Sequence, residues 1–568
     1  MNCPAALFFR LPLLALSLVT VGSMQGKDDT GRTRVPYKIW INHDGTNITG
    51  LVSPFHQKGQ GFSEQVFAAS IDELAGKGID AVAFSPGNGS VPWWQSKTND
   101  HWEWFVQRTG KKPSAVGQYI MGGGDLVRVF VERCRANGLS PIITLRLKDE
   151  HDIERLDSEW VSRFYFEHQS WRLDRDPRAV FGKRGLNWIY PGVAEERLAV
   201  IREIAENYDI DGIELDFMRF PPFFDLEQSS YSQRRDVMTG FIRRTREILD
   251  RTAKPGKSRV LSIRIPNRTK EYRDIGLDLP LLDREGLIDI IQVSPSYVSQ
   301  VESDVGLVVS LAPKAAVFYE MTHASMRGPS PSWGRFGDDY PIRVTTDEQF
   351  YTAANLAYAR GATGISLFNF HYTRASVRDG KHSIGGSIGR EPPFHVINGM
   401  RDPAWLSEQP QYYWMPYWWK TGYHGRQFQL PQGFVVGDER RFELDLALPK
   451  TSISGARLQI RTAGGTPVLS ATEPVAYVRG RPLLVWRAWL NGVSLTPTEK
   501  KGEPFPEPYG AFLGEKEDYA AWDVPAQALR DGPNSIELEL ADAPISDEFN
   551  IQVIWMDLAV FTETSVQR

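Results

Sequence analysis

The segment DGIELDFMRFP at residues 211–221 concentrates groups that can donate or accept protons. Within it, Glu214 and Asp216 alternate with apolar residues, and this period of two predicts a β-strand with both carboxyl groups on one face. An acid inside a protein is costly unless it is paired or functional. We expect Asp216 to be catalytic, and Glu214 either to assist it or to bridge an arginine such as Arg146 or Arg264.

A second acid, Glu320, ends the apolar run AAVFYE at residues 315–320. Two carboxyl groups on either side of a cleft, one protonated and one ionised, are the groups that cleave a bond between two sugars. Acids at the ends of the fourth and seventh predicted strands resemble the pair found in many retaining glycosidase barrels, and this resemblance implies Asp216 as the acid/base and Glu320 as the nucleophile. Reversed roles and an inverting reaction stay open, and so does a salt bridge as the only role of Glu320.

Polar residues near the ends of other predicted strands are candidates for contacts to a substrate. Several are arginines, whose guanidinium groups match carboxylate and sulfate and therefore hint at an anionic glycan. The alternative is that the arginines neutralise acids of the protein itself. The predicted substrate-binding residues are Asn42, His43, Asp44, Arg146, Arg219, Arg264, Asn267, Tyr297, His323, Asn369 and His371.

Histidines near these strand ends raise the question of a metal site together with Asp44 and Asp149. None of the histidines shows the HxH or HExxH spacing that is typical of zinc sites. We therefore predict no bound metal, and we expect no cofactor.

The elements that position these residues recur between residues 35 and 375, where short β-rich runs alternate with loops and helical patterns. Eight such units predict an α/β fold, a (β/α)8 TIM barrel with its site at the carboxyl ends of the strands. A doubly wound open sheet is disfavoured because no Gly-rich phosphate-binding loop follows the first strand. The predicted strands are 38–42, 81–85, 141–146, 212–216, 260–265, 288–293, 316–320 and 364–369, and an amphipathic helix is predicted over 193–208.

The pattern changes after the barrel. Residues 376–424 are predicted to form an aromatic, Pro-containing connector, and residues 425–568 an antiparallel β-sandwich of the jelly-roll type. The segment LRDGPNSIEL at 529–538 resembles the late hairpin of galactose-binding-like jelly rolls. Such a domain either binds sugar or braces the barrel, and we expect bracing. Alternating runs lie at 442–448, 456–460, 536–540 and 551–555.

Residues 211–221 also resemble the strand motif DG[IL]x[FL]D[YF]xR[YF]P of the glycoside-hydrolase-like barrels labelled glycosyl hydrolase-like 10, and WIYP at 188–191 is close to their WxxP approach. The resemblance implies a TIM barrel that hydrolyses glycosidic bonds, with Asp216 as an essential acid. Chitinase-type barrels share the DGxxxD strand but need a Glu two residues after its last Asp. Met218 occupies that position, which disfavours substrate-assisted chitinase chemistry.

The amino-terminal residues 1–23 predict a signal peptide, because Arg10 precedes an apolar run at 11–21 that is about half as long as a membrane span. We expect a secreted or periplasmic protein with no stable membrane span. After cleavage only Cys134 remains, so the mature chain cannot form an internal disulfide. A large bacterial exported protein can fold without such cross-links.

The amino-acid composition limits the classes of molecule that we expect the protein to bind. The net charge of −5 offers no basic field for nucleic acid, whereas 17 Trp and 20 Tyr supply flat faces on which sugar rings can stack. We expect a carbohydrate partner and no nucleic acid, and the oligomeric state is left open. Two other functions also stay open: a carbohydrate-binding barrel without turnover, and a polysaccharide lyase or deacetylase on the same scaffold.

Overall fold

A computed structural model of the protein describes residues 35–45, 62–87, 90–174, 182–295, 297–327, 342–371, 377–378, 381–382, 391–416, 428–464, 484–506, 519–542 and 551–563. The predicted signal peptide lies outside these residues. Within them, no helix combines the length and apolar character needed to cross a membrane.

The first part of the fold is a closed barrel of eight parallel strands, which confirms the predicted α/β barrel. Observed and predicted strands agree to within two residues at each end. Two further strands, β8 (Ala324–Arg327) and β9 (Ile342–Val344), form a hairpin that the sequence analysis did not predict. The barrel strands are β1 (Ile39–Asp44), β2 (Ala81–Ser85), β3 (Ser140–Arg146), β4 (Gly212–Asp216), β5 (Val260–Pro266), β6 (Ile290–Ser294), β7 (Ala316–Thr322) and β10 (Gly364–Phe368).

Helices cover the outside of the barrel. The helix before β4 begins with Pro191 at its first turn, where a missing N–H is tolerated, and the helix after β4 begins with a capping box formed by Ser230 and Gln233. The helices are α1 (Glu64–Asp72), α2 (His101–Thr109), α3 (Ala115–Met121), α4 (Leu126–Ala136), α5 (Arg163–Glu167), α6 (Pro191–Asn207), α7 (Tyr231–Thr252), α8 (Leu279–Arg284), α9 (Val305–Leu311), α10 (Asp347–Ala359), α11 (Val396–Met400) and α12 (Pro403–Leu406).

The barrel interior is apolar at its amino-terminal end and polar at its carboxyl end. An apolar cluster that includes Trp40, Ile142, Ile290 and Phe318 fills the amino-terminal end. Because side chains alternate along a strand, positions two and four residues further on point inward at the opposite end. The charged residues described below occupy those positions.

The second part of the fold is antiparallel and confirms the predicted β-sandwich. A six-stranded sheet has the order β13-β22-β16-β20-β19 with β14 also on β22, and a four-stranded sheet has the order β15-β21-β17-β18. Its strands are β13 (Gln411–Met415), β14 (Gln432–Phe434), β15 (Glu439–Leu446), β16 (Ile453–Gly464), β17 (Val485–Leu490), β18 (Val493–Ser494), β19 (Thr496–Pro497), β20 (Tyr519–Val524), β21 (Gly532–Asp542) and β22 (Ile551–Thr562). Between barrel and sandwich lies a two-stranded ribbon of β11 (Val377–Arg378) and β12 (Lys381–His382).

Part of the predicted connector belongs to the sandwich. Strand β13, within residues 376–424, pairs along its whole length with β22. Its aromatic run QYYWM is buried at every position, so these rings fill a core, which is a common role of clustered aromatic residues. Trp414 also donates from Nε1 to the carbonyl of Ser299 at 2.9 Å, which ties this strand to the barrel.

Candidate active site

The charged residues of the barrel mouth lie in one row across neighbouring strands. Arg146 on β3 is in register with Asp216 on β4, and Asp216 is in register with Arg264 on β5. All three point into the barrel. An acid between two arginines is less costly to bury than an acid alone.

Arg264 joins the two predicted catalytic acids. Its Nε and Nη2 each donate to a different oxygen of Glu320 at 2.6 Å, and its Nη1 lies 3.1 Å from both oxygens of Asp216. Glu320 also accepts a hydrogen bond from Ser294 at 2.5 Å, and Asp216 accepts one from the backbone N–H of Met218 at 2.8 Å. Strands β4 and β7 therefore bring Asp216 and Glu320 onto one guanidinium, as an acid–arginine–acid cluster.

A second acid–arginine–acid cluster lies next to the first. Arg146 donates to Asp44 at 2.7 Å and to Asp149 at 2.8 Å, and Asp149 also contacts His151 at 2.5 Å. Burial alone would raise the pKa of Asp149, but the charges of His151 and Arg146 hold that pKa well below its usual range. Negative and positive groups thus alternate around the mouth in the order Asp44, Arg146, Asp216, Arg264 and Glu320.

Glu214 lies one layer deeper in the barrel than Asp216. Its carboxyl group accepts a hydrogen bond from the Thr144 hydroxyl, and Ser262 Oγ is 3.5 Å from its other oxygen. Burial raises the pKa of Glu214 to about 8, against the hydrogen bond from Thr144 and the charge of Arg264, which lower it. A pKa of about 8 favours the protonated form of this carboxyl at neutral pH.

The sequence analysis placed Asp216 and Glu320 on either side of a cleft, whereas the structure buries both side chains. The side chains of Asp216, Arg264 and Glu320 are 3%, 2% and 1% exposed. The reason is electrostatic: Arg264 reaches both acids, and the three groups compensate one another's loss of water. Any reaction at this site needs Arg264 to give up part of its contact with a carboxyl group.

Arg219 and Tyr297 lie beside this cluster. The Arg219 guanidinium is 5.4 Å from the ring centre of Tyr297, and the rings of Tyr297 and Phe368 are 6.0 Å apart. Phe368 in turn lies under Arg264, 4.2 Å from its guanidinium carbon. Phe368 was not predicted as a site residue, although alternation from Gly364 along β10 places it on the inner face.

Four predicted substrate-binding residues are buried, and two of them, His43 and His371, lie on the helix side of the barrel. His43 faces the helix layer, where it hydrogen-bonds Ser70 of α1 at 2.8 Å, and burial lowers its pKa to about 4. His371 packs on the same side, with its ring 6.0 Å from that of His43. Asn267 donates to the carbonyl of Glu302 at 2.8 Å, and His323 is buried directly after β7.

His43 shows why this part of the prediction was wrong. It precedes the inward-facing Asp44 by one residue, so alternation along β1 turns it outward. Of the remaining predicted residues, Asn42 is buried on the inner face of β1, and Asn369 is buried directly after β10 with a positive φ of 52°. Among the residues that the structure describes, no group of three His, Cys, Asp or Glu side chains could hold a metal ion.

Comparisons with known proteins add structural neighbours at low similarity. No protein-family model matches the sequence, and a comparison with curated proteins also gave no match. Similar solved structures include α-L-fucosidase isoenzyme 2 from Paenibacillus thiaminolyticus, with 14% identity, a TM-score of 0.38 and coverage of 64% of this chain and 48% of that one. This chain therefore spans about half the length of the fucosidase.

Two further neighbours are also enzymes that act on carbohydrates. The catalytic domain 2 of a group II chitinase from Ostrinia furnacalis has 11% identity and a TM-score of 0.36, with coverage of 64% and 96%. A glycoside hydrolase family 5 enzyme from Prevotella bryantii has 12% identity and a TM-score of 0.34, with coverage of 64% and 95%. At this level of similarity the neighbours do not decide the activity of this chain, and the barrel itself is established by its strand pairing.

Proposed function

We propose that the protein is a glycoside hydrolase that cleaves a poly- or oligosaccharide with the carboxyl groups of Asp216 and Glu320. The observation that carries the proposal is that both acids contact one guanidinium at the carboxyl end of the barrel. A pair of neighbouring carboxyl groups is what most glycosidases use to cleave a glycosidic bond. The carboxyl end of the strands is also where TIM-barrel enzymes build their sites.

The hydrogen bonds favour different roles for the two acids. Glu320 accepts three short bonds, from two nitrogens of Arg264 and from Ser294, and charged donors stabilise an ionised carboxylate. Asp216 is held less closely, at 3.1 Å from Arg264. We therefore propose Glu320 as the nucleophile and Asp216 as the acid/base, which exchanges its contact with Arg264 for the glycosidic oxygen when substrate binds.

The release of reducing ends tests this proposal. The full-length mature protein is incubated with xylan, β-glucan, galactomannan, chitosan and polygalacturonate, and new reducing ends are measured over time. We expect release from at least one polymer, without the ultraviolet absorbance of the unsaturated products that a lyase forms. Absence of release from every polymer, with a folded protein, contradicts the proposal.

A carbohydrate-binding barrel without turnover is the second candidate. The burial of Asp216 and Glu320 and their neutralisation by Arg264 favour it, because paired acids of this kind also occur as purely structural groups. In that case polysaccharides would bind with measurable affinity and stay intact.

An anionic glycan as the substrate has less support from the structure than from the sequence. Arg146 and Arg264 each bind two acids of the barrel itself, so their charge is used within the protein. Arg219 remains as the mouth arginine for which the described residues provide no ion pair. We propose Arg219 as a contact to substrate, and comparison of polygalacturonate with the neutral polymers tests its preference.

We further propose that the protein is exported, on the basis of the amino-terminal sequence. The apolar run at 11–21 behind Arg10 supports this proposal, and the lack of a cysteine pair after residue 23 is compatible with it because a chain of this size can fold without a disulfide.

A further inference from the structure

An open pocket with a volume of about 40 Å³ lies beside the acid–arginine clusters. It is formed between the loop after β3 and the first turns of α6. Asp149 connects the pocket with the cluster around Arg146, because its carboxylate binds Arg146 and the residue also lines the pocket. A pocket of this size encloses only part of a sugar unit, so a bound sugar would lie across its open mouth.

Four aromatic residues, Trp160, Phe164, Tyr165 and Trp188, are among those that line the pocket. Trp160 and Phe164 are half-buried and present part of their surface to it, while Trp188 is fully buried behind them. The aromatic surface continues outside the pocket: Phe164 lies 6.1 Å from Trp171, which stacks on Tyr190 at 5.1 Å and 9°. Flat aromatic faces suit the C–H faces of sugar rings.

The polar groups that line the pocket differ in how many hydrogen bonds they already make within the protein. Lys148 donates to the carbonyls of Gly182, Phe220 and Pro222 at 2.7 to 2.8 Å and pairs with Glu150. Lys148 therefore has no hydrogen left to donate to a ligand.

Arg197 is the opposite case. Its side chain is 12% exposed and its buried Nη1 has no hydrogen-bond partner. Its neighbour Glu196 lies 3.4 Å from Nε, so the two charges offset each other. Arg197 lines the pocket, so its guanidinium brings an unsatisfied donor close to the aromatic rings without adding a net charge, and such a donor is costly until it finds an acceptor.

We propose that this pocket binds a neutral sugar unit of a polysaccharide, one or more units away from the bond that is cleaved. The ring of this sugar stacks against Trp160 and Phe164, and one of its oxygens accepts a hydrogen bond from Arg197. The stacked pair Trp171 and Tyr190 extends the same binding surface outward. The inference rests on the proposed function for the class of ligand, and it assigns a binding site separate from the catalytic acids.

Affinity electrophoresis tests the pocket without requiring turnover. The full-length protein is run through gels that contain xylan, β-glucan, galactomannan or polygalacturonate, and the dissociation constant is taken from the retardation. Phe164→Ala and Arg197→Gln should each weaken binding to the retarding neutral polymer about tenfold. Thermal unfolding of every variant checks that it is folded.

Matched controls lie on the same helices. Phe166, also on α5, packs on Trp104 and does not line the pocket, and Arg202 is exposed on α6. Phe166→Ala and Arg202→Gln should bind like the unaltered protein.

The inference is wrong if the pocket variants bind like the unaltered protein, if the controls lose as much affinity, or if no neutral polymer retards the protein. These outcomes are separate from those of the proposed function. Binding that depends on the pocket residues, without release of reducing ends, would support the pocket and contradict the proposed hydrolysis. Hydrolysis that depends on Asp216, together with unchanged polymer binding by the pocket variants, would support the proposed hydrolysis and contradict the pocket.

Discussion

Arg264 controls the electrostatics of the candidate site, because it is the cation that both central acids contact. Removing it would leave two buried carboxylates close together with no opposite charge between them. We expect Arg264→Met to lower the free energy of unfolding by about 3–5 kcal/mol. Urea denaturation measures this, with Arg202→Met on the exposed side of α6 as a control that should stay within about 0.5 kcal/mol of the parent. Equal midpoints for the two variants would show that the cluster contributes little to stability.

Glu214 gives stability a particular pH dependence. Its pKa of about 8 in the folded protein lies above the value of about 4.3 in an unfolded chain. The neutral carboxyl therefore stabilises the fold fully below the unfolded pKa, and this stabilisation is lost as the pH rises through about 8.

Glu214→Gln cannot ionise and should remove this part of the pH dependence. Between about pH 5 and pH 8, the melting temperature of the variant should fall less than that of the parent. Thermal unfolding of both proteins across this range provides the measurement. Parallel curves would mean that Glu214 does not carry a proton in the folded state at neutral pH.

Individual site residues could be predicted only where alternation or a motif determines their direction. Asp216 was placed at the mouth because it ends a strand with a period of two, and Glu320 because it ends a continuous apolar run. Their pairing with Arg264 could not be predicted, because a long arginine side chain reaches acids on several strands. For the same reason, the arginines predicted to bind substrate could not be separated from those that neutralise the barrel.

At the scale of elements, the eight barrel strands were predictable because buried parallel strands form short, nearly continuous apolar runs between helices. The hairpin of β8 and β9 and the sandwich strand β13 were missed. Strand β13 consists largely of aromatic residues with both faces buried, so it lacks the alternation that marks a strand. Its pairing with β22 is what assigns it to the sandwich.

Strand β4 needs a residue without a side chain at Gly212. A Cβ atom there would lie 2.4 Å from the carbonyl oxygen of Val260 on β5, so β4 would have to move away from its neighbour. We expect Gly212→Ala to cost about 1–3 kcal/mol of stability and to lower any activity that depends on Asp216, four residues further on.

A matched change on helix α7 should have the opposite effect. No atom lies within 4 Å of a Cβ placed on Gly240, so Gly240→Ala is expected to add about 0.5–1 kcal/mol. Chemical denaturation of both variants checks the pair. A larger loss at Gly240 than at Gly212 would contradict the tight approach of β4 and β5.

At the scale of the whole molecule, the sandwich is joined to the barrel by buried and half-buried ion pairs. Arg343 binds Glu503 and Arg360 binds Asp445, both at 2.6 Å. These contacts lie on the α10 side of the barrel, since Arg360 directly follows that helix. These ion pairs hold the sandwich against the barrel, and its bracing role stays a prediction.

The proposed export concerns the whole chain and can be tested directly. Expressed from its own first residue in a bacterial host, the protein should be recovered outside the cytoplasm with a mass that begins near residue 24. Intact mass spectrometry of the purified protein measures the cleavage. A cytoplasmic protein with its first 23 residues intact would contradict the predicted signal peptide.

The central claim is that the two acids on Arg264 perform hydrolysis. It is tested most directly by the rate of reducing-end release for Asp216→Asn and Glu320→Gln on the polysaccharide that the parent cleaves. Asp557→Asn is the control, because Asp557 is equally buried but lies in the sandwich, hydrogen-bonded to Gln459 and Trp555. We expect both site variants, folded by circular dichroism, to lose at least about a hundredfold in turnover, and the control to keep its rate. Near-parent rates for folded Asp216→Asn and Glu320→Gln would contradict the account.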